Sequence, residues 1–150
     1  MERTIVQMLH DAATKYADRA YTNTRGEEGW LASSFKETDR QSDYVAAFLA
    51  TRGFKAEETV AILGEGKSAW VTFEHGLLKA RMVSVPLSIK LTVEEIAFRV
   101  NHSEAVGIAV SSNTFANALK ALPLFEREVL FIYLDDEDDR LKKQVEEADW

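Results

Sequence analysis

The chain alternates between segments with apolar residues at helical spacing and short runs that are almost wholly apolar. Helical spacing, in which apolar residues share one face, begins near residues 5, 38, 67, 92 and 113. The continuous runs, which are typical of strands buried on both sides, are residues 60–63, 82–85, 106–110 and 129–134. Strands that alternate with helices in this way predict an α/β fold, with a mostly parallel sheet and helices on both faces.

Turn and cap residues add detail to this α/β prediction. Residues 20–25 and 30–35 are strand-like and flank the segment at 26–29, Gly-Glu-Glu-Gly, which predicts an N-terminal β-hairpin. Capping boxes are expected at three helix starts: Thr4 with Gln7, Thr38 with Gln41, and Thr92 with Glu95. Asn113 is expected to cap a further helix, and Gly53 to end the second one in a left-handed conformation.

The length of 150 residues favours a single domain, residues 1–150. The net charge of −7 is uneven, because residues 135–150 hold eight acidic and three basic side chains. The acidic turn at residues 135–139 is the candidate boundary before a further C-terminal helix, which would carry Leu141, Val145 and Ala148.

Composition excludes several classes of function. The chain has no cysteine, so disulfides, thiolate metal sites and a cysteine nucleophile are absent. No cluster of basic residues offers a face for nucleic acid. The start of the chain lacks the apolar core of a signal peptide, and no apolar run is long enough to cross a bilayer. We therefore expect a cytoplasmic protein.

The segment Gly64-Glu-Gly-Lys-Ser68 is the strongest local candidate for chemistry, because it lies between a predicted strand and a predicted helix. Nucleotide-binding P-loops occupy the same context and hold phosphate with backbone N–H groups and a lysine. Here the loop is too short, since the residue five positions before Gly66 is Ala61, inside the strand. Glu65 would also place a carboxylate against the anion. A plain strand-to-helix turn is the better interpretation.

The remaining candidates point to structure more than to catalysis. His10 and His75 are expected on partly exposed helix surfaces and His102 at a helix end, and no two have metal-binding spacing. The pairs Glu57-Glu58 and Glu94-Glu95 diverge in direction, so neither forms an acid/base dyad. Trp70 and Phe73 are expected in the core. Pro86 is expected to end a strand, although its loop would border the ligand crevice of an open α/β sheet.

Several stretches resemble the N-terminal part of adenylate-forming acyl-CoA synthetases, most closely the long-chain fatty-acid type. The similar stretches are residues 30–37 leading into 38–53, residues 60–63 with Trp70, residues 79–87 (Lys-Ala-Arg-Met-Val-Ser-Val-Pro-Leu), and Leu91-Thr92. The resemblance covers residues 4–135. This sequence departs from the family at Arg81, where glycine is usual, at Glu57, where a Gly-Asp turn is common, and at residues 88–90.

The resemblance implies a parent ligase that uses ATP, Mg²⁺ and coenzyme A to convert a fatty acid into its thioester through an acyl-adenylate. No residue of this chain matches the family's phosphate loop, adenine-contacting segment, ribose-binding aspartate or catalytic lysine. The resemblance therefore assigns no catalytic, cofactor-binding or metal residue here. The chain is expected to be an N-terminal fragment, inactive alone, whose partners are the remainder of the synthetase and a second copy in a homodimer.

Two other functions remain open at this point. One is a non-catalytic interaction or regulatory domain that kept the synthetase scaffold. The other is a small P-loop-like nucleotide-binding module, which rests only on residues 64–68.

Overall fold

The computed structural model describes residues 4–134 and 139–148, apart from the side chain of Leu141. The chain divides into two compact units. The first unit comprises Met1–Glu57 and Gly66–Met82, and the second comprises Glu58–Glu65 and Val83–Trp150. Most of the acidic turn predicted at residues 135–139 lies outside the described residues.

The first unit contains three helices and a two-stranded antiparallel hairpin. Its elements are α1 (Ile5–Tyr16), β1 (Ala20–Gly26), β2 (Gly29–Ser34), α2 (Phe35–Thr51) and α3 (Ser68–Lys79). Gly76 of α3 lies directly against α2, since a Cβ atom at this position would lie 2.3 Å from Cγ1 of Val45. The absence of a side chain at residue 76 therefore allows α2 and α3 to approach closely.

The second unit is built on a parallel four-stranded sheet with the order β4-β3-β5-β6. Its elements are β3 (Thr59–Leu63), β4 (Val83–Pro86), α4 (Val93–His102), β5 (Gly107–Val110), α5 (Phe115–Ala121), a 3₁₀ turn (Leu122–Leu124), β6 (Leu130–Tyr133) and α6 (Arg140–Glu147). In the core, alternate residues of the central strands pack against α4 and α5. The core includes Leu63, Ile96, Val100, Ile108 and Phe115. The predicted α/β class, with a parallel sheet and an N-terminal hairpin, is confirmed.

The central strands and an edge strand differ in burial. Residues 60–63 and 107–110 are completely or almost completely buried, as their continuous apolar character predicts. The prediction that residues 82–85 form a strand buried on both sides is wrong, because Val83 is 48% exposed. The reason is position: among the described strands, β4 pairs only with β3 and lies at the edge of the sheet.

Three helix starts differ from the sequence prediction. At α1, Thr4 accepts from the Gln7 N–H at 3.1 Å, but the Gln7 side chain donates to Asp11 at 2.9 Å and does not complete the predicted box. Helix α2 begins at Phe35 instead of near Thr38, because Ser34 caps it by accepting a hydrogen bond from the Glu37 N–H at 3.1 Å. Thr38 is buried inside the helix. Helix α5 follows Thr114, not Asn113. The box of Thr92 and Glu95 has both of its hydrogen bonds, as predicted.

Two of the positions that depart from the family pattern, Glu57 and Arg81, share an unusual backbone. Glu57 has a φ of 71° and Arg81 a φ of 60°, both in the left-handed region that favours glycine. The two residues also contact each other, because the Glu57 N–H donates to the Arg81 carbonyl at 2.8 Å. Gly53 has a φ of 86° and ends α2 as predicted, with the Phe54 N–H bonded to the Leu49 carbonyl at 3.1 Å.

Among the described residues, no helix combines the length and the apolar character that a membrane span requires.

Candidate functional site

The P-loop-like segment ends at a helix start whose first N–H is already bound. The Ser68 N–H donates to Oγ1 of Thr24 on the hairpin at 2.8 Å. The hydroxyls of Thr22 and Thr24 each donate to Oγ of Ser68, both at 2.8 Å. Thr24 thus occupies the place at the Ser68 N–H that a phosphate oxygen would take. This geometry favours a structural turn that joins α3 to the hairpin.

An ionic cluster joins the three helices of the first unit. Nζ of Lys79 donates to the backbone carbonyl and to Oδ1 of Asp39, and to Oδ1 of Asp43, each at 2.7 Å. Nδ1 of His10, on α1, lies 3.2 Å from Oδ2 of Asp39. The side chains of Lys79 and Asp39 are only 10% and 13% exposed. The cluster therefore holds an almost buried cation between two carboxylates.

The one lysine of this cluster is paired with both carboxylates. Burial by itself would raise the pKa of Asp39, but the hydrogen bonds from Lys79 and His10 outweigh burial and hold that pKa below its ordinary value of 3.8. An open depression of about 360 Å³ lies over the cluster and is also lined by Val6, Gln7 and Ala46. Because its cation is already paired, the cluster is better suited to joining helices than to binding an anion.

His75 lies in a different place from the one predicted. It is 8% exposed, whereas the sequence suggested a partly exposed helix surface. Its Nε2 lies 3.1 Å from the hydroxyl oxygen of Tyr21 on β1, and its Nδ1 is buried without a hydrogen-bond partner among the described residues. Burial lowers the pKa of His75 from its ordinary value of 6.5, and the Lys79 ammonium acts in the same direction.

The other sequence candidates stay separate from these groups. His102 is exposed at the end of α4 and stacks on Phe98, with ring centroids 5.6 Å apart. The Glu95 carboxylate accepts a hydrogen bond from the Thr92 N–H at 2.8 Å, so it belongs to a helix cap. Phe73 is buried, as predicted, and Trp70 is half-buried. The described residues contain no group of three or more His, Cys, Asp or Glu side chains arranged to hold a metal ion.

At the carboxyl ends of the central strands, polar side chains bond to one another and to the backbone. Oγ1 of Thr114 donates to the Leu63 carbonyl at 2.6 Å and accepts from the Ser111 N–H at 2.9 Å. After Pro86, where β4 ends as predicted, the Leu87 N–H donates to the Ile62 carbonyl at 2.8 Å. These bonds fix the loops at the strand ends, where the ligand crevice of an open α/β sheet is expected.

Sequence reasoning missed two polar groups of the first unit, the ionic cluster and the pair of His75 and Tyr21. A signal existed for the ionic cluster, since Asp39 and Asp43 are four residues apart and therefore share one face of α2. Nothing comparable marked His75, because its partner Tyr21 is 54 residues away in sequence.

The family model of the AMP-binding enzymes matches residues 9–150. The chain therefore belongs to the AMP-binding enzyme family, and the family resemblance drawn from the sequence is confirmed.

Two curated relatives are named as ligases of long-chain fatty acids. The chain is 25% identical to a chloroplastic long-chain-fatty-acid–[acyl-carrier-protein] ligase of Arabidopsis thaliana, over 78% of this chain and 16% of the relative. It is 32% identical to long-chain-fatty-acid–CoA ligase 1 of Homo sapiens, over 50% of this chain and 11% of the relative. The chain thus matches a small part of each relative's length.

Solved structures share the fold. A fatty acyl CoA synthetase of Mycobacterium tuberculosis matches with a TM-score of 0.75 at 19% identity, over 92% of this chain and 28% of that protein. A benzoate CoA ligase from Burkholderia xenovorans matches with a TM-score of 0.77 at 19% identity, over 98% of this chain and 29% of that protein. At this level of identity, both similarities establish the fold and not the substrate.

Proposed function

We propose that this chain is the N-terminal part of a long-chain fatty-acyl-CoA synthetase, which activates its substrate with ATP and Mg²⁺ and transfers the acyl group to coenzyme A. The observation that carries the proposal is the family match over residues 9–150. The long-chain substrate is supported by the two curated relatives, both of which are named for long-chain fatty acids. The remainder of the synthetase is the partner that this proposal requires.

The substrate class is tested on the longer protein that the proposal requires. Carboxylate-dependent exchange of pyrophosphate into ATP measures the adenylation step directly. We expect a long-chain fatty acid to support faster exchange than benzoate does. Faster exchange with benzoate would contradict the long-chain assignment and leave the family assignment intact.

The 150-residue chain by itself is proposed to be inactive and to bind no ATP. Support comes from the α3 N-terminus, where Thr24 already accepts the Ser68 N–H. Titration calorimetry with ATP and Mg²⁺ is therefore expected to give no saturable signal. Saturable binding that is lost in Lys67→Ala and retained in the exposed control Lys120→Ala would support a nucleotide-binding module instead.

We propose that the isolated chain forms a homodimer through the exposed edge of its sheet at β6. A cytoplasmic location stays a prediction.

A further inference from the structure

The hairpin of β1 and β2 is held to α3 by a small set of polar contacts. Thr22 and Thr24 bond to Ser68 at the start of α3, and Tyr21 bonds to His75 in its middle. Tyr21 also stacks on Phe35, with ring centroids 4.6 Å apart. No residue of the two strands is buried, and a two-stranded hairpin alone is marginally stable in water. The hairpin therefore depends on these contacts for its order.

Among the residues of these contacts, His75 is a titratable group whose burial disfavours its charged form. A neutral imidazole needs only one donor, so its Nε2 and the Tyr21 hydroxyl can form a satisfied bond. A protonated imidazole carries a second N–H, at Nδ1, and this atom is buried without a partner among the described residues. A buried charged donor without an acceptor is strongly unfavourable. Protonation of His75 is therefore unfavourable in the observed position of the ring.

The charged groups around His75 do not remove this conflict. Lys79, one turn further along α3, repels an imidazolium, and burial and Lys79 together lower the pKa of His75. Asp39 on α2 acts in the opposite direction, but its carboxylate oxygens already accept hydrogen bonds from Lys79 and His10. Tyr21 on β1 supplies a neutral hydroxyl that is bonded to the other ring nitrogen.

We propose that protonation of His75 releases the β1–β2 hairpin from α3, so that this contact acts as an acid-sensitive latch. The latch consists of Tyr21, Thr22 and Thr24 on the hairpin and Ser68 and His75 on α3. The imidazolium turns towards water, the bond to Tyr21 breaks, and the hairpin loses a main attachment. Because the folded state binds this proton less readily than the unfolded state, stability is complete above about pH 6.5 and falls as the pH decreases.

Hydrogen exchange of the 150-residue chain between about pH 8 and about pH 5 tests the latch, since a histidine changes charge in this range. After correction for intrinsic exchange rates, we expect severalfold faster exchange at acidic pH for the hairpin amides and the Ser68 amide. The amides of β3 and β5 serve as an internal reference. The acceleration should disappear in His75→Phe and persist in His102→Gln, which alters an exposed histidine.

A measurement on the unsubstituted chain covers the case in which His75→Phe fails to fold. The ring resonances of His75 are followed by NMR through the same pH range, together with the hairpin amides. The latch requires one common midpoint, below that of a free histidine. Unchanged hairpin protection at acidic pH, hairpin opening with a midpoint different from that of His75, or full pH dependence in His75→Phe would overturn the proposal.

Discussion

At the scale of single residues, backbone conformation explains why glycine is preferred at two positions where this chain departs from the family pattern. Glu57 and Arg81 occupy left-handed backbone positions, where a Cβ atom is crowded by the neighbouring carbonyl. The family resemblance places a Gly-Asp turn and a glycine at these positions. The structure thus gives a physical reason for the preference for glycine at these positions. The sequence alone showed only that this chain differs from the family there.

Replacement of Arg81 by glycine is expected to stabilise the chain. Relief of the left-handed strain is worth about 1–2 kcal/mol, and the greater freedom of glycine in the unfolded state removes about 0.4–1 kcal/mol. The free energy of unfolding in urea should therefore rise by about 1 kcal/mol in Arg81→Gly. The control Arg81→Ala keeps the Cβ atom and should give no increase. Equal stabilisation in both variants would show that the arginine side chain, and not the backbone, is responsible.

Helix caps and the burial of His75 show which properties of single residues the sequence could predict and which it could not. The capping box at Thr92 was predictable because its donors and acceptors lie within three residues of one another. Thr38 and Gln41 have the same pattern, yet Ser34 is the cap, because the chain passes directly from β2 into α2. The burial of His75 depends on a hairpin that is distant in sequence, so no local pattern could indicate it.

At the scale of secondary-structure elements, Lys79 connects two helices by charge-assisted hydrogen bonds, and Asp39 extends the cluster to α1 through His10. The sequence could not predict whether a strand lies at the centre or at the edge of the sheet. The run at residues 82–85 is apolar except for Ser84, much like a central strand, but its place at the sheet edge depends on the order of strands.

Replacement of Lys79 by methionine should destabilise the first unit, because it leaves the almost buried Asp39 carboxylate without its main partner. We expect the free energy of unfolding to fall by about 2 kcal/mol near neutral pH, a value between those for exposed and fully buried ion pairs. The pKa of Asp39 is lowered in the fold, so this stabilisation is present above pH 3.8 and is lost as the pH falls further. The measurement is urea unfolding at several pH values.

The control for this prediction is Lys120→Met, which changes an exposed lysine in the last turn of α5. It should alter the free energy of unfolding by less than about 0.5 kcal/mol. A Lys79→Met variant as stable as the control would mean that the cluster contributes little to the attachment of α2 and α3.

At the scale of the whole molecule, the alternation of helices and strands was enough to predict the fold class and the parallel sheet. It could not show that the chain divides into two units. Gly66–Met82 lies between two strands of the sheet in sequence, but it belongs to the unit that contains the N-terminal helices. That division depends on contacts between segments far apart in sequence. The family match covers residues 9–150, and the chain aligns with 16% of the length of the chloroplastic relative.

Self-association is the expected behaviour of the isolated chain. Among the described residues, β6 pairs only with β5, and its Leu130 and Tyr133 are 46% and 43% exposed. An exposed strand edge with apolar side chains favours pairing with another strand, and a twofold dimer is the simplest closed arrangement. Sedimentation velocity over a range of concentrations should therefore show a dimer that dissociates on dilution.

A charge on the edge strand should prevent this pairing, so Leu130→Lys is expected to be a monomer. The control Leu124→Lys places the same charge in the 3₁₀ turn, at a leucine that is 48% exposed, and should still form the dimer.

The net charge of −5 carried by residues 135–150 (eight acidic and three basic side chains) follows β6 in sequence and opposes association. Added salt screens this repulsion and should therefore strengthen the dimer. A monomer at high protein and salt concentration would contradict the edge-pairing model, and equal dissociation of both lysine variants would place the contact elsewhere.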